Sequence, residues 1–247
     1  MEDIPKVIFH SNIAPKSPNF GKLSDFLATR TTKSIFNIDQ EFLRMVHGFS
    51  GLKHIMAREN FLQLEKDYRR YFRNAKFLPA KKTSDNKGRL TFDTRTLIPL
   101  VKSLDNFVNE LYGYLDFFSR ELDIIFNLNI GIKSDFEKIY KEINKIHNKD
   151  QLTKDIIKFH NSNEYKYLHG LRIRLIHWYP LTFRSHKKHL LLPDNPWEPI
   201  NLPKSDNKVR FIPRSKELLF YTLNSIDHIC YLIGRKLFIG WGKELKR

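Results

Sequence analysis

The sequence predicts an all-α protein, a four-helix up-and-down bundle with extra short helices and a long proline-rich loop before the last helix. Leu97, Val101, Leu104, Val108, Leu111, Leu115, Phe118, Leu122 and Ile125 recur in alternating steps of four and three, the spacing that lines one face of a long helix. Leu219, Leu223, Ile226, Ile229, Ile233 and Leu237 do the same near the carboxyl end. Between these stripes, Ser134 with Glu137 and Asn161 with Glu164 have the spacing of capping boxes, which open helices by pairing orphan amides with side chains.

In chain order, residues 1–36 carry Pro5, Pro15 and Pro18 and read as an irregular amino-terminal segment. A single helical domain then spans 37–247. Asn37 and Asp39 open a short helix that Gly48 closes, and Ser50 starts a second running to about Lys76. In that second helix Leu52, Ile55, Leu62, Tyr68 and Phe72 gather on one side, with Arg and Lys opposite. Pro79 to Arg89 reads as a polar loop. Thr91 or Asp93 caps the regular helix, Pro99 is near enough to its start to be tolerated, and Asn129 with Gly131 stops it. Ser134 opens a helix to about His147, and Asp150 to His160 forms another. The helix from the Asn161 box ends near Tyr179, because Pro180 cannot continue it. Residues 180–213 form a loop insertion with short strands at Leu190–Leu192 and Lys208–Ile212, and Ser215 caps the last helix.

Composition narrows the function classes. Forty-three Lys and Arg oppose 27 Asp and Glu, a net charge of +16 that a polyanion such as nucleic acid would neutralise; a high Lys and Asn content from A-rich codons gives the same excess. With Cys230 the only cysteine, no internal disulfide forms and thiolate zinc sites are excluded. The amino end has no apolar signal core, and no apolar run approaches the roughly 20 residues of a membrane span. A cytoplasmic protein is expected. Glycine-rich phosphate loops, H-E-x-x-H and G-x-S-x-G are all missing, and ten histidines are scattered without ligand spacing, so neither metal nor cofactor is expected.

The segment 163–179, NEYKYLHGLRIRLIHWY, carries the chemistry. Leu168, Leu171, Leu175 and Trp178 cluster within about 60° and are expected to enter the core. Ile173 and Ile176 form a second strip flanked by Arg172 and His177, which diverge by about 140° on a straight helix. A proline-loosened last turn or a two-fold axis along the strip would bring them together.

Arg172, His177 and Tyr179 match an R-x4-H-x-Y pattern, and with the bundle they resemble the HEPN family (higher eukaryotes and prokaryotes nucleotide-binding) over about Leu90 to Trp241. The resemblance implies a homodimer through the Arg172–Tyr179 helix whose paired motifs cleave RNA without metal, as a toxin or phage-defence effector. Arg172 would clamp the phosphate and His177 act as general acid and base while the ribose 2′-OH attacks, leaving a 2′,3′-cyclic phosphate. Tyr179 matches the position that a partner antitoxin nucleotidylates in some toxins. Arg174, three residues before His177, is an alternative phosphate ligand, and His169, about two turns away, is a supporting residue. Arg184, His186, Lys187 and Lys188 follow as a basic RNA-binding stretch. Trp197, among Pro193, Pro196 and Pro199, is expected to pack the loop onto the bundle, with stacking on a base as the alternative. Ile173 stands where the family usually has a polar residue, which motivates the alternative: an inactive bundle that binds RNA, nucleotide or a protein partner.

Overall fold

The computed structural model describes residues 17–28, 40–73, 76–78, 89–91, 94–131, 134–147, 149–176, 184–186, 189–192 and 209–237. Seven helices and five strands of two to four residues occur among them, so the described protein is essentially all-helical. None of its helices is long and apolar enough to cross a membrane.

Helix α1, Pro18–Ala28, lies inside the segment read as irregular. Phe20, Leu23 and Leu27, spaced three and four apart, are buried, and they pack α1 against the last helix and the second. Its amino terminus is capped from a distance. Asp227 accepts the backbone amides of Asn19 and Phe20 at 2.8 and 3.0 Å and the Asn19 side-chain amide at 2.7 Å. A carboxylate there meets the orphan amides and the positive end of the helix dipole. Asp227→Ala should cost about 1–2 kcal/mol. Hydrogen exchange should show the loss concentrated in the α1 amides; uniform acceleration across the protein would refute a local cap.

Helix α2 spans Gln40–Arg73 without interruption, where the sequence suggested two helices broken at Gly48. Gly48 and Gly51 each cost only about 1 kcal/mol in a helix interior, which packing against α3, Thr94–Phe126, outweighs. The two run antiparallel. His47 meets Glu121, Lys53 meets Glu110 and Phe61 packs on Phe107. The buried face of α2 is only in part the one expected: Tyr68 and Phe72 pack against the core. Leu43, Val46, Ala57, Phe61, Leu64 and Tyr71 enter the core, with His47, Ser50 and His54, while Leu52, Ile55 and Leu62 are exposed.

In α3 the stripe from Leu104 to Leu122 is buried, and Phe107 and Tyr114 are buried beside it, as a helix flanked on two sides requires. Between α2 and α3, β1 (Lys76–Leu78) pairs antiparallel with β2 (Arg89–Thr91). Thr91 is thus a strand residue, and Asp93 lies outside the described residues. Asp123 accepts the amides of Ile130 and Gly131 at 3.1 and 2.8 Å. It closes a turn in which Asn127, Asn129 and Gly131 all have positive φ.

Two caps differ from the expected boxes by one residue. Asp135, not Ser134, caps α4 (Phe136–Asn144), accepting from Lys138. Asp150 caps α5 (Gln151–His160). Ser162, not Asn161, accepts the Tyr165 amide at 3.1 Å and opens α6, Asn163–Ile176. In each case the chosen residue directly precedes the first helical one, the place from which a short side chain reaches the third amide. Strands β3 (Arg184–His186), β4 (His189–Leu192) and β5 (Val209–Arg210) form one antiparallel sheet. Helix α7, Phe211–Leu237, starts before Ser215, which is buried within it; Pro213 is tolerated in the first turn, where no intrahelical bond is lost. Its six stripe residues are all buried. One hydrophobic cluster takes members from all seven helices.

Candidate functional site

The site is built where α6 crosses α3, with α4 and α5 at its edge. On α3, Asn109, Tyr112 and Asp116 stand three and four residues apart and so share a stripe. On α6, His169 and Arg172 are three apart and meet that stripe. Asn109 Oδ1 accepts a hydrogen bond from the Arg172 guanidinium, whose carbon lies 5.2 Å from the centre of the Tyr112 ring. Arg172 is therefore held by a bond and a cation–π contact, with further N–H groups of its fork available for an anion.

Asp116 is the unusual group. Burial pushes its carboxyl up to about 6, against the opposing pull of the nearby Arg172, Arg120 and Lys138 cations and with a smaller push from Asp135. Among the described residues its buried Oδ1 has no hydrogen-bond donor. A half-buried carboxyl that titrates near neutrality beside a guanidinium has the properties of a general base.

A polar chain leads away from this pair. The Tyr112 hydroxyl meets Nδ1 of His169 at 2.8 Å. Burial lowers the His169 pKa, which favours the neutral ring, and burial pushes the Tyr112 phenol up to about 12. Tyr165 packs near His169 with ring centres 6.0 Å apart and donates to Glu137 at 3.0 Å. His160 reaches the same Glu137 oxygen at 3.0 Å and lies flat on Tyr140, centres 3.5 Å apart.

No family model, curated protein or solved structure matches this chain. The site therefore rests on its own geometry.

Of the residues singled out from sequence, the structure brings Arg172 and His169 together through Tyr112. Arg174 is buried, 7% exposed, and so is not presented to a substrate from the surface of this chain. Ile173 is half-buried and Ile176 is 47% exposed. Leu168 and Leu171 are buried in the core as expected, joined by Tyr165, Tyr167 and Gly170. His177, Trp178, Tyr179, Lys187, Lys188 and Trp197 lie outside the described residues. Arg184 and His186 belong to β3. Sequence reasoning missed Asn109, Tyr112, Asp116, Glu137 and His160. The usable signal was the stripe of Asn109, Tyr112 and Asp116 running alongside the core stripe of α3.

Elsewhere, a groove of about 360 Å³ between α5 and α7 is lined by Asp155, Lys158, Phe159, Tyr221, Asn224, Ser225, His228 and Ile229. His228 Nε2 bonds Asp155 there at 3.1 Å. The groove contains none of the residues around Arg172 and Asp116.

Proposed function

We propose that the protein is a metal-independent RNA endonuclease of the HEPN type, acting in the cytoplasm as a toxin or phage-defence effector. In this reading α2, α3, α6 and α7 are the four helices of the bundle. The observation that carries it is Arg172, pinned by Asn109 and Tyr112, with the Asp116 carboxyl on the same α3 stripe and within electrostatic reach. The residue types suit phosphodiester transfer by an RNA 2′-hydroxyl. Asp116 takes the 2′-OH proton as the 2′-oxygen bonds to phosphorus, and Arg172 neutralises the charge gathering on the phosphate oxygens. The bond from phosphorus to the 5′-oxygen breaks, and His177, the residue that follows α6, protonates the leaving oxygen. A cyclic phosphate and a 5′-hydroxyl result. Asp116 and Arg172 stand on the same chain, and His177 is brought to the same phosphate by a loosened last turn of α6 or by two-fold pairing of that helix. Basic residues Arg184, His186, Lys187 and Lys188 extend the RNA path, and Tyr179 is the position at which a partner antitoxin would restrain the effector.

Cleavage of single-stranded RNA in EDTA tests the proposal. Arg172→Ala and His177→Ala should each lower the rate by at least about 100-fold, with circular dichroism unchanged. For the native chain kcat/KM should rise about tenfold per pH unit below about 6, as ionisation of a base demands, and fall again at higher pH as the His177 acid loses its proton. RNA retained at low salt with no cyclic-phosphate product at any pH would instead establish the binding-only reading that Ile173 motivates.

A further inference from the structure

The outer face of α2 carries Phe42, Met45, Phe49, Leu52, Ile55 and Leu62, which are 47, 51, 47, 53, 56 and 39% exposed. Together these side chains present roughly 500 Å² of apolar surface, near the upper end of the largest patches on monomers. Their spacing is that of a coiled-coil seam: Phe42, Phe49 and Met56 alternate with Met45, Leu52 and Glu59 in steps of three and four.

We infer that this face pairs with the same face of a second copy of the chain, the two α2 helices running antiparallel about a two-fold axis near Ser50 and Gly51. The pattern is self-complementary in that arrangement. Phe49 meets the partner's Leu52, and Met45 meets the partner's Met56. Ile55, the most exposed of these α2 apolar residues, falls over the partner's Gly48, where an added Cβ would touch nothing within 4 Å. Charge selects the direction. Arg44 and Glu59 are both exposed, and antiparallel pairing brings Arg44 beside the partner's Glu59, twice by symmetry. A parallel, in-register pairing would set arginine against arginine and glutamate against glutamate, which is repulsive. Burying the stripe from both copies, with its polar margins, reaches the roughly 1,200 Å² total at which stable interfaces begin.

The seam also adjoins the site. Phe49 stacks on Phe117 of α3, centres 5.6 Å apart, and Arg120 covers Phe117 at 4.7 Å. Arg120 is one of the cations beside Asp116. The pairing nevertheless stands independently of the proposed cleavage, and its test does not use activity.

Because Cys230 is the only cysteine and is buried, engineered thiols report without background. Chains carrying Met45→Cys, mixed with chains carrying Met56→Cys and oxidised, should yield a disulfide-linked dimer, while neither chain alone does so. Sedimentation of the native protein at micromolar concentration should show a dimer, and Leu52→Glu should raise its dissociation constant at least about 100-fold with helix content retained. A native monomer at all concentrations, or crosslinking in the Met45→Cys chain alone, would overturn the inference. If Leu52→Glu fails to fold, the cysteine pairs decide by themselves.

Discussion

Asp116→Asn is expected to stabilise the protein at pH 7.5 by about 1–3 kcal/mol while lowering RNA cleavage by at least about 100-fold. Most substitutions of a partly buried polar residue destabilise, so the stability gain is the informative half. The folded carboxyl titrates at about 6 against an ordinary value of 3.8, chiefly through burial. Between those values the folded chain holds a proton that the unfolded chain has released, so stability falls as pH rises through the window and stays lower above it. Asparagine never ionises and escapes that loss. The side chain is partly exposed, which keeps the gain below the full linkage value. Denaturant unfolding of both proteins at pH 4 and 7.5 measures it: the two should be close at pH 4 and diverge by pH 7.5. A variant less stable than native at pH 7.5 would mean that Asp116 and Arg172 form a net-stabilising pair, and the trade of stability for function would be lost.

Glu121→Ala should be the most damaging single change, removing about 3–5 kcal/mol. Glu121 is fully buried and accepts from His47 Nδ1 at 2.8 Å and from the Ser50 hydroxyl. His47 Nε2 in turn reaches the Phe20 carbonyl at 3.2 Å. Burial works to lower the His47 pKa, but the Glu121 charge, its hydrogen bond and the Phe20 carbonyl outweigh it, and the net shift is upward. The favourable His47 contribution is thus fully present below about 6.5 and lost as pH rises through its elevated folded value. Without Glu121 that dependence should vanish, leaving Ser50 and His47 buried without their acceptor. His54 acts in the opposite sense. Burial, with Arg58, depresses it to about 4 despite Asp227, so its contribution grows as pH rises from about 4 to 6.5. Chemical denaturation from pH 5 to 8 should separate the two: Glu121→Ala flattens only the upper part of the profile. An unchanged upper limb would rule out the ion pair as its source.

The two changes probe different economies of the same bundle. Glu121 sits where α1, α2 and α3 converge, and its charge is matched on every side. Asp116 sits where α3 meets α6, and its Oδ1 is left without a donor among the described residues. Glu65 of α2 likewise keeps a buried oxygen without a hydrogen-bond partner, and burial raises its pKa too; what distinguishes Asp116 is the pinned Arg172 on the facing helix.

How far the sequence could be read depended on whether each feature was local. Helix periodicity was legible in α3 and α7, since a stripe repeated over many turns needs no knowledge of its partner. Capping of α4 and α6 was legible to within one residue, because several small polar residues compete at each start; Ser215, the cap expected for α7, lies inside that helix. For α2 the reading failed in part. Leu52, Ile55 and Leu62 are exposed, and the buried face sets His47, Ser50 and His54 among Leu43, Val46, Phe61 and Leu64; Glu121 and the Phe20 carbonyl supply partners for His47 and Ser50. Polar residues inside an apolar stripe hide it from a pattern search when their partners are distant in the chain.

Taken by itself, the sequence determined the helical class, the two long apolar stripes, the turn at Asn129 and Gly131, and the core face of α6 at Leu168 and Leu171. All of these follow from backbone periodicity and residue chemistry within a few turns. Only the tertiary structure decided that Asp227 caps a helix 208 residues away, that His47 finds Glu121 across 74 residues, and that Asn109 holds Arg172 across 63. The physical reason is that a buried polar group is tolerated only with a partner, and a partner so distant in the chain becomes a neighbour only when the helices pack.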